Sequence, residues 1–89
     1  MDQTEQYKSV MSEIIAKQSV ILGPDMAVIR AKKVPNIRIG DSGVVIEIIG
    51  DPIEALNSLI DTYVELSGQI VKNSIGPIFI KYPEVKQTK

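Results

Sequence analysis

Val44-Val45-Ile46-Glu47-Ile48-Ile49-Gly50-Asp51-Pro52-Ile53-Glu54-Ala55-Leu56 is the stretch on which the fold turns. Five of the six residues from Val44 to Ile49 are aliphatic and read as a strand, and the pattern changes abruptly at Gly50. Asp51 carries a carboxylate that can accept from the free amides of a first helical turn. Pro52 has the fixed φ that suits the first helical position, and Glu54 completes a capping-box spacing. Beyond it Ile53, Leu56, Leu59, Ile60, Tyr63, Val64, Ser67, Ile70, Val71 and Ile75 recur at spacings of three and four. This predicts one amphipathic helix of about six or seven turns, closed by Gly76-Pro77. At 1.5 Å per residue it would be about 35 Å long, which overhangs so short a strand, so part of its apolar stripe needs another partner.

Upstream, Asn36 to Ile39 and the turn residues Gly40-Asp41-Ser42-Gly43 complete a β-hairpin with Val44 to Ile49. With Ile39 opposite Val44, residues Ile37, Ile39, Val44, Ile46 and Ile48 share one face, and Asn36, Arg38, Val45 and Glu47 share the other. With Gly43 forming a bulge and Ile39 opposite Val45, Glu47 would join Ile37 and Ile39 on the apolar face, where a buried carboxylate is costly. The first register is the expectation.

Further out, Tyr7, Val10, Met11, Ile14, Ile15, Val20, Ile21 and Leu22 lie at helical spacing, which predicts an N-terminal helix stopped by Gly23-Pro24. Asp25 to Lys33 reads as a short second helix opened by Pro24, with a strand as the alternative. Ile78-Phe79-Ile80-Lys81-Tyr82 is either a short third strand or a short helix folded back over the long one. The fold class is therefore α+β in a single domain spanning residues 1–89, in the order helix, short helix, hairpin and long C-terminal helix. Residues 1–4 and 84–89 are expected to fray.

The chain has 89 residues, a formal net charge of −1, no histidine and no cysteine. That removes the commonest general base, the thiolate nucleophile and the usual soft metal ligands, so no metal or other cofactor is expected. Disulfides are excluded as well, so a fold this small depends on packing, alone or with self-association. No apolar run approaches a membrane span, and the first eight residues do not form a basic flank, so a cytoplasmic protein is expected.

Gly40-Asp41-Ser42-Gly43 resembles the tetrad around the nucleophile of trypsin-like serine proteases. Without a histidine no base can take the serine proton, so the tetrad is read as turn chemistry. Residues 21–66 resemble part of a KH nucleic-acid-binding domain. Ile21-Leu22-Gly23-Pro24-Asp25-Met26 falls where that family has its Gly-x-x-Gly loop, Ala27 to Lys33 where the next helix lies, and Val44 to Leu56 where the last strand and helix lie. Met26 stands at the second glycine, Asp25 puts a carboxylate in the loop, and the family's first strand has no counterpart upstream. The resemblance implies phosphate binding by a basic segment, and here Arg30, Lys32, Lys33 and Arg38 would supply it.

Those four cations lie in residues 26–40 with no acid among them, whereas residues 41–66 hold Asp41, Glu47, Asp51, Glu54, Asp61 and Glu65 and no base. A sequence pI near 5.3 lacks the basic footprint of most nucleic-acid binders, so the cations read first as a solvated face that partly neutralises the acidic helix. Asp61 and Glu65 share a helix face at a spacing typical of surface charges. The leading expectation is a non-catalytic interaction or regulatory module acting as a homo-oligomer, with an unidentified protein partner as a further prospect. Val44, Ile46, Ile48, Ile49, Ile70 and Val71 are its candidate contact residues. A KH-like nucleic-acid binder is the alternative. An anion or small-ligand site at a helix amino end is the third, and no membrane partner is expected.

Overall fold

The computed structural model describes residues 3–40, 42–83 and 85. Among them are helices α1 (Gln3–Leu22) and α2 (Pro24–Lys32), strands β1 (Ile37–Ile39) and β2 (Val45–Ile48), and helices α3 (Pro52–Ser67) and α4 (Gln69–Lys81). The fold is α+β, as the sequence implied, and segment 25–33 is helical. Of the termini expected to fray, Gln3 and Thr4 already belong to α1. Val85 is 5% exposed in the core, where its amide donates to the Tyr82 carbonyl at 3.0 Å. Residues 1, 2, 84 and 86–89 lie outside the described residues.

α1 is the central element. Tyr7, Val10, Met11, Ile14, Ile15 and Gln18 recur every three or four residues and are all buried, so one stripe of this helix faces the interior. It packs against α2, β2, α3 and α4. Ala55, Leu56, Leu59 and Tyr63 from α3, Val71, Ile75 and Ile78 from α4, and Ile37 and Val45 from the hairpin close around it. The Tyr63 hydroxyl, fully enclosed, donates to the Ala27 carbonyl at 2.6 Å and ties α3 to α2. Burial pushes that phenol well above the usual tyrosine range.

Helix boundaries follow local chemistry. Gly23 at φ 93° makes the corner between α1 and α2, a backbone conformation that favours glycine, and Pro24 opens the next helix. Asp51 caps α3 as its sequence context suggests, accepting from the Ile53 amide at 2.9 Å.

Two expectations are corrected here. The first is the single long helix. The chain breaks at Gly68, with φ 55° and ψ −117°, and α4 turns back to pack on both α3 and α1. Gly76-Pro77 does not end a helix, since both residues lie inside α4. Ile78 to Lys81 is therefore helical and not a third strand. The two Gly-Pro pairs differ because Gly76, unlike Gly23, does not have positive φ.

The second correction is the hairpin register. Ile39 pairs with Val45, not Val44, while Arg38 pairs with Glu47 and Ile37 with Ile48, so Ile46 is an extra residue in β2. That bulge resolves the conflict that had disfavoured this register. Val45 faces the core at 4% exposed, the inserted Ile46 shifts the alternation, and Glu47 returns to the outside opposite Arg38. Ile37 is buried, and Ile39 and Ile48 pack partly buried against the core. Val44 and Ile46, expected inward, are exposed. The opposite edge of β2 meets α1. There the Ser12 hydroxyl accepts from the Val45 amide at 3.0 Å and donates to the Lys8 carbonyl at 2.8 Å.

Candidate functional site

The bulge gives the outer face of the hairpin an unusual composition. Val44 is 53% exposed, Ile46 60% and Ile49 46%, three aliphatic side chains on or beside a two-stranded ribbon. Across the same ribbon Arg38 Nε lies 3.1 Å from Glu47 Oε1, with both side chains more than half exposed. The face thus carries aliphatic surface beside one cation and one anion. Ile48, half-buried, belongs to the inner side. Of the other candidate contact residues, Ile70 is 55% exposed on α4, whereas Val71 is fully buried in the core and is not a surface residue.

The four basic residues are divided between two places. Arg30 and Lys32 occupy the last turn of α2 and Lys33 its C-cap, where cations complement the negative end of the helix dipole. Arg38 is on β1, engaged with Glu47. The Gly23-Pro24-Asp25-Met26 segment forms the α1–α2 corner, with Asp25 and Met26 exposed. Of the aromatic residues that could stack on bases, Tyr7 and Tyr63 are fully buried, and Phe79 and Tyr82 are half-buried.

Asp61 and Glu65 are exposed on α3. Asp61 and Asn57 border two adjoining clefts. One, of about 330 Å³, is completed by Asn36, Glu54 and Ser58; the other, of about 400 Å³, runs between α3 and α4 over Ile60, Val64, Lys72, Ile75 and Gly76. Sequence periodicity concealed the second cleft, because it exists only where the chain folds back at Gly68. Among the described residues no group of three or more acidic side chains is placed to hold a metal ion, and no helix is long and apolar enough to cross a membrane.

A further cluster joins the middle of α1 to the end of α4. Lys81 Nζ donates to Glu13 Oε1 at 2.5 Å, and Tyr82 also hydrogen-bonds to Glu13. Burial alone would raise the Glu13 carboxyl, but the hydrogen bonds from Lys81 and Tyr82 and the charges of Lys81 and Lys17 hold it below the usual glutamate value. The same hydrogen bond holds Lys81 above its ordinary value, and Tyr82 is raised by its bond to Glu13. The arrangement fastens the end of α4 to α1.

Comparison with protein-family models, with curated proteins and with solved structures finds no match to this chain in any of the three. The functional reading accordingly rests on the surface itself.

Proposed function

We propose that this chain is a small non-catalytic interaction module that self-associates through the outer face of its hairpin. The observation that carries this reading is that face, with Ile46 and Ile49 exposed on the ribbon that bears the Arg38–Glu47 pair and Val44 exposed at its margin toward α1. A two-stranded hairpin is marginal when one side is left to water, and its exposed aliphatic residues gain by being covered. A second copy is a fitting cover because the face carries both charges. A two-fold axis through it sets Arg38 of each molecule near Glu47 of the other, so the patch complements itself.

The chain's total accessible surface, 5099 Å², is close to the roughly 5,200 Å² expected of a 9.8 kDa monomer. The monomer is thus compact without help. A standard interface takes about 800 Å² from each partner, more than this small ribbon offers, so the association should be reversible and concentration-dependent. Nucleic-acid binding ranks second, since Arg38 is engaged with Glu47 and the other three cations sit at the end of α2.

Sedimentation equilibrium across the micromolar range tests the proposal. The wild-type chain should shift toward twice 9.8 kDa with increasing concentration, and Ile46→Lys should remain folded and monomeric. A wild-type chain at 9.8 kDa throughout would refute self-association. Salt-sensitive micromolar binding of a single-stranded oligonucleotide, lost on substituting Lys32 and Lys33 with alanine, would promote the nucleic-acid reading instead.

A further inference from the structure

We propose that Gly68 is a hinge through which α4 exchanges between two copies of the chain. Straightened at this residue, α3 and α4 become one helix, and α4 packs on α1 of the second molecule. This goes beyond the self-association proposed above, since the route does not use the hairpin face.

The sequence is already written for the straight form. Apolar residues keep helical spacing from Ile53 to Ile75 without a change of phase at Gly68. In the bent form Leu66 and Ile70, on either side of the corner, are 40% and 55% exposed. They stand seven residues beyond Leu59 and Tyr63, both fully buried. A seven-residue step advances an α-helix by almost two turns, so in a continuous helix Leu66 and Ile70 extend the stripe that Leu59 and Tyr63 begin.

The backbone needs little rearrangement to straighten. The Gly68 amide already donates to the Val64 carbonyl at 2.9 Å in the helical i to i−4 pattern, and the Gly68 carbonyl accepts from Val71 at 3.1 Å, an i to i−3 bond, and from Lys72 at 3.5 Å. The helical ladder thus reaches Gly68 from both sides, and the bend is concentrated in its two dihedral angles, φ 55° and ψ −117°. No side chain caps α4, and a Cβ built at Gly68 would meet nothing within 4 Å. No side chain is lodged against the corner itself, and what keeps it bent is the packing of Val71 and Ile75 further along α4.

Length then dictates where α4 goes. A continuous helix from Pro52 to Lys81 is about 45 Å long at 1.5 Å per residue, whereas the molecule's longest extent is 30 Å. The straight form therefore carries α4 off its own α1. The contacts that hold α4 can all re-form with a second copy: Val71, Ile75 and Ile78 enter its core, Ser74 meets Gln18, and Lys81 meets Glu13. Exchange of an identical element conserves these contacts and adds a new one where Leu66 and Ile70 of the two long helices meet.

Gly68→Ala tests the hinge, because an L side chain is strained at this positive φ while alanine is favoured over glycine in a straight helix. Both effects act twice per dimer, so association should tighten by about a thousandfold or more. To separate exchange from face-to-face pairing, ¹⁴N- and ¹⁵N-labelled chains are refolded together and treated with a carbodiimide, which couples adjacent carboxylates and amines. Mass spectrometry then reads the peptide joining Glu13 to Lys81. Gly68→Ala should give a dimer containing mixed-isotope Glu13–Lys81 peptides, and the dimer should persist when Ile46→Lys is added. The wild-type chain should give mainly single-isotope peptides. D-alanine at position 68, introduced by chemical synthesis, suits the bent backbone and should abolish the mixed peptides. A monomeric Gly68→Ala chain with only single-isotope peptides would overturn the proposal. Should that variant fail to fold, the minor mixed-isotope peptide of the wild type, raised by refolding at high concentration, becomes the readout, and a D-alanine chain that yields as much of it would overturn the proposal. Failure of the hairpin-face dimer leaves these outcomes unchanged, so the two readings stand or fall separately.

Discussion

Gly43 offers a sharp test of how the hairpin is seated. It is buried, has φ 85°, and donates its amide to the Gly40 carbonyl at 3.0 Å. A Cβ at this position would lie 3.1 Å from Cγ2 of Ile15 and 3.4 Å from Cγ2 of Val28. Gly43→Ala therefore incurs two separate penalties. An L residue at positive φ costs about 1–2 kcal/mol. Forcing a carbon inside the 3.5–4.0 Å optimum against Ile15 on α1 adds about 1–3 kcal/mol. The sum, about 2–5 kcal/mol, is a large share of the 4–13 kcal/mol typical of a domain this size. Gly50→Ala supplies the control, because Gly50 has φ 80° but a Cβ there meets nothing within 4 Å. It should lose only the backbone portion, about 1–2 kcal/mol. Urea unfolding followed by far-ultraviolet circular dichroism measures both, and the difference between the variants reads the contact alone. Equal losses would mean that the turn is not pressed against Ile15 and Val28, and the seating of the hairpin would have to be redrawn.

The register makes an opposed pair of predictions: Val45→Lys should lose several kcal/mol by burying an unpaired charge, whereas Ile46→Lys, its exposed neighbour, should stay within about 1 kcal/mol of wild type in thermal unfolding. Equal losses would refute the bulge. Tyr63→Phe removes the buried donor to the Ala27 carbonyl and should cost about 1–2 kcal/mol in urea unfolding with an unchanged denaturant slope; no loss would mean the bond is not formed. Because Glu13 is held below its ordinary value in the folded chain, its contribution is fully present above that value, about 4.3, and is lost as pH falls through the lower folded value. Glu13→Gln should therefore flatten the acid limb of the stability–pH curve, and an acid limb identical to wild type would refute the Glu13–Lys81–Tyr82 fastening.

Much of the architecture was legible because its signals were local. The carboxylate of Asp51, the ring of Pro52 and the positive φ of Gly23 act within one turn of themselves. The misreadings share a cause, which is that a periodic pattern has no place for a single exceptional residue. Counting by twos through Val44 to Ile49 cannot accommodate the extra Ile46, so the apolar face was assigned to Val44 and Ile46 when the core takes Val45. Counting by three and four passes through Gly68 because a glycine within a helix costs only about 1 kcal/mol, too little to mark a break. At Gly76-Pro77 the error was opposite. Proline removes one amide from a helix, here the donor that would meet the Asn73 carbonyl, and α4 continues past that loss into Lys81. The candidate surface was legible as an excess of aliphatic residues near the hairpin. Which of them face water depended on the bulge, and Val71 lies in the core because α4 folds back onto α1.

The Ser12 hydroxyl at the margin of β2 limits how this ribbon can grow. Sheets polymerise when both margins of a unit accept a neighbouring strand, since each addition then exposes a fresh template for the next. On the β2 margin the Val45 amide is already engaged by Ser12, and α1 lies alongside it. A strand arriving there finds its donor taken and its approach obstructed. At most the β1 margin remains, and it is preceded by Pro35, which has no amide to offer. Two copies joined along β1 would leave outward only the β2 margins flanked by α1, so strand pairing in this protein favours a closed pair over a growing fibril.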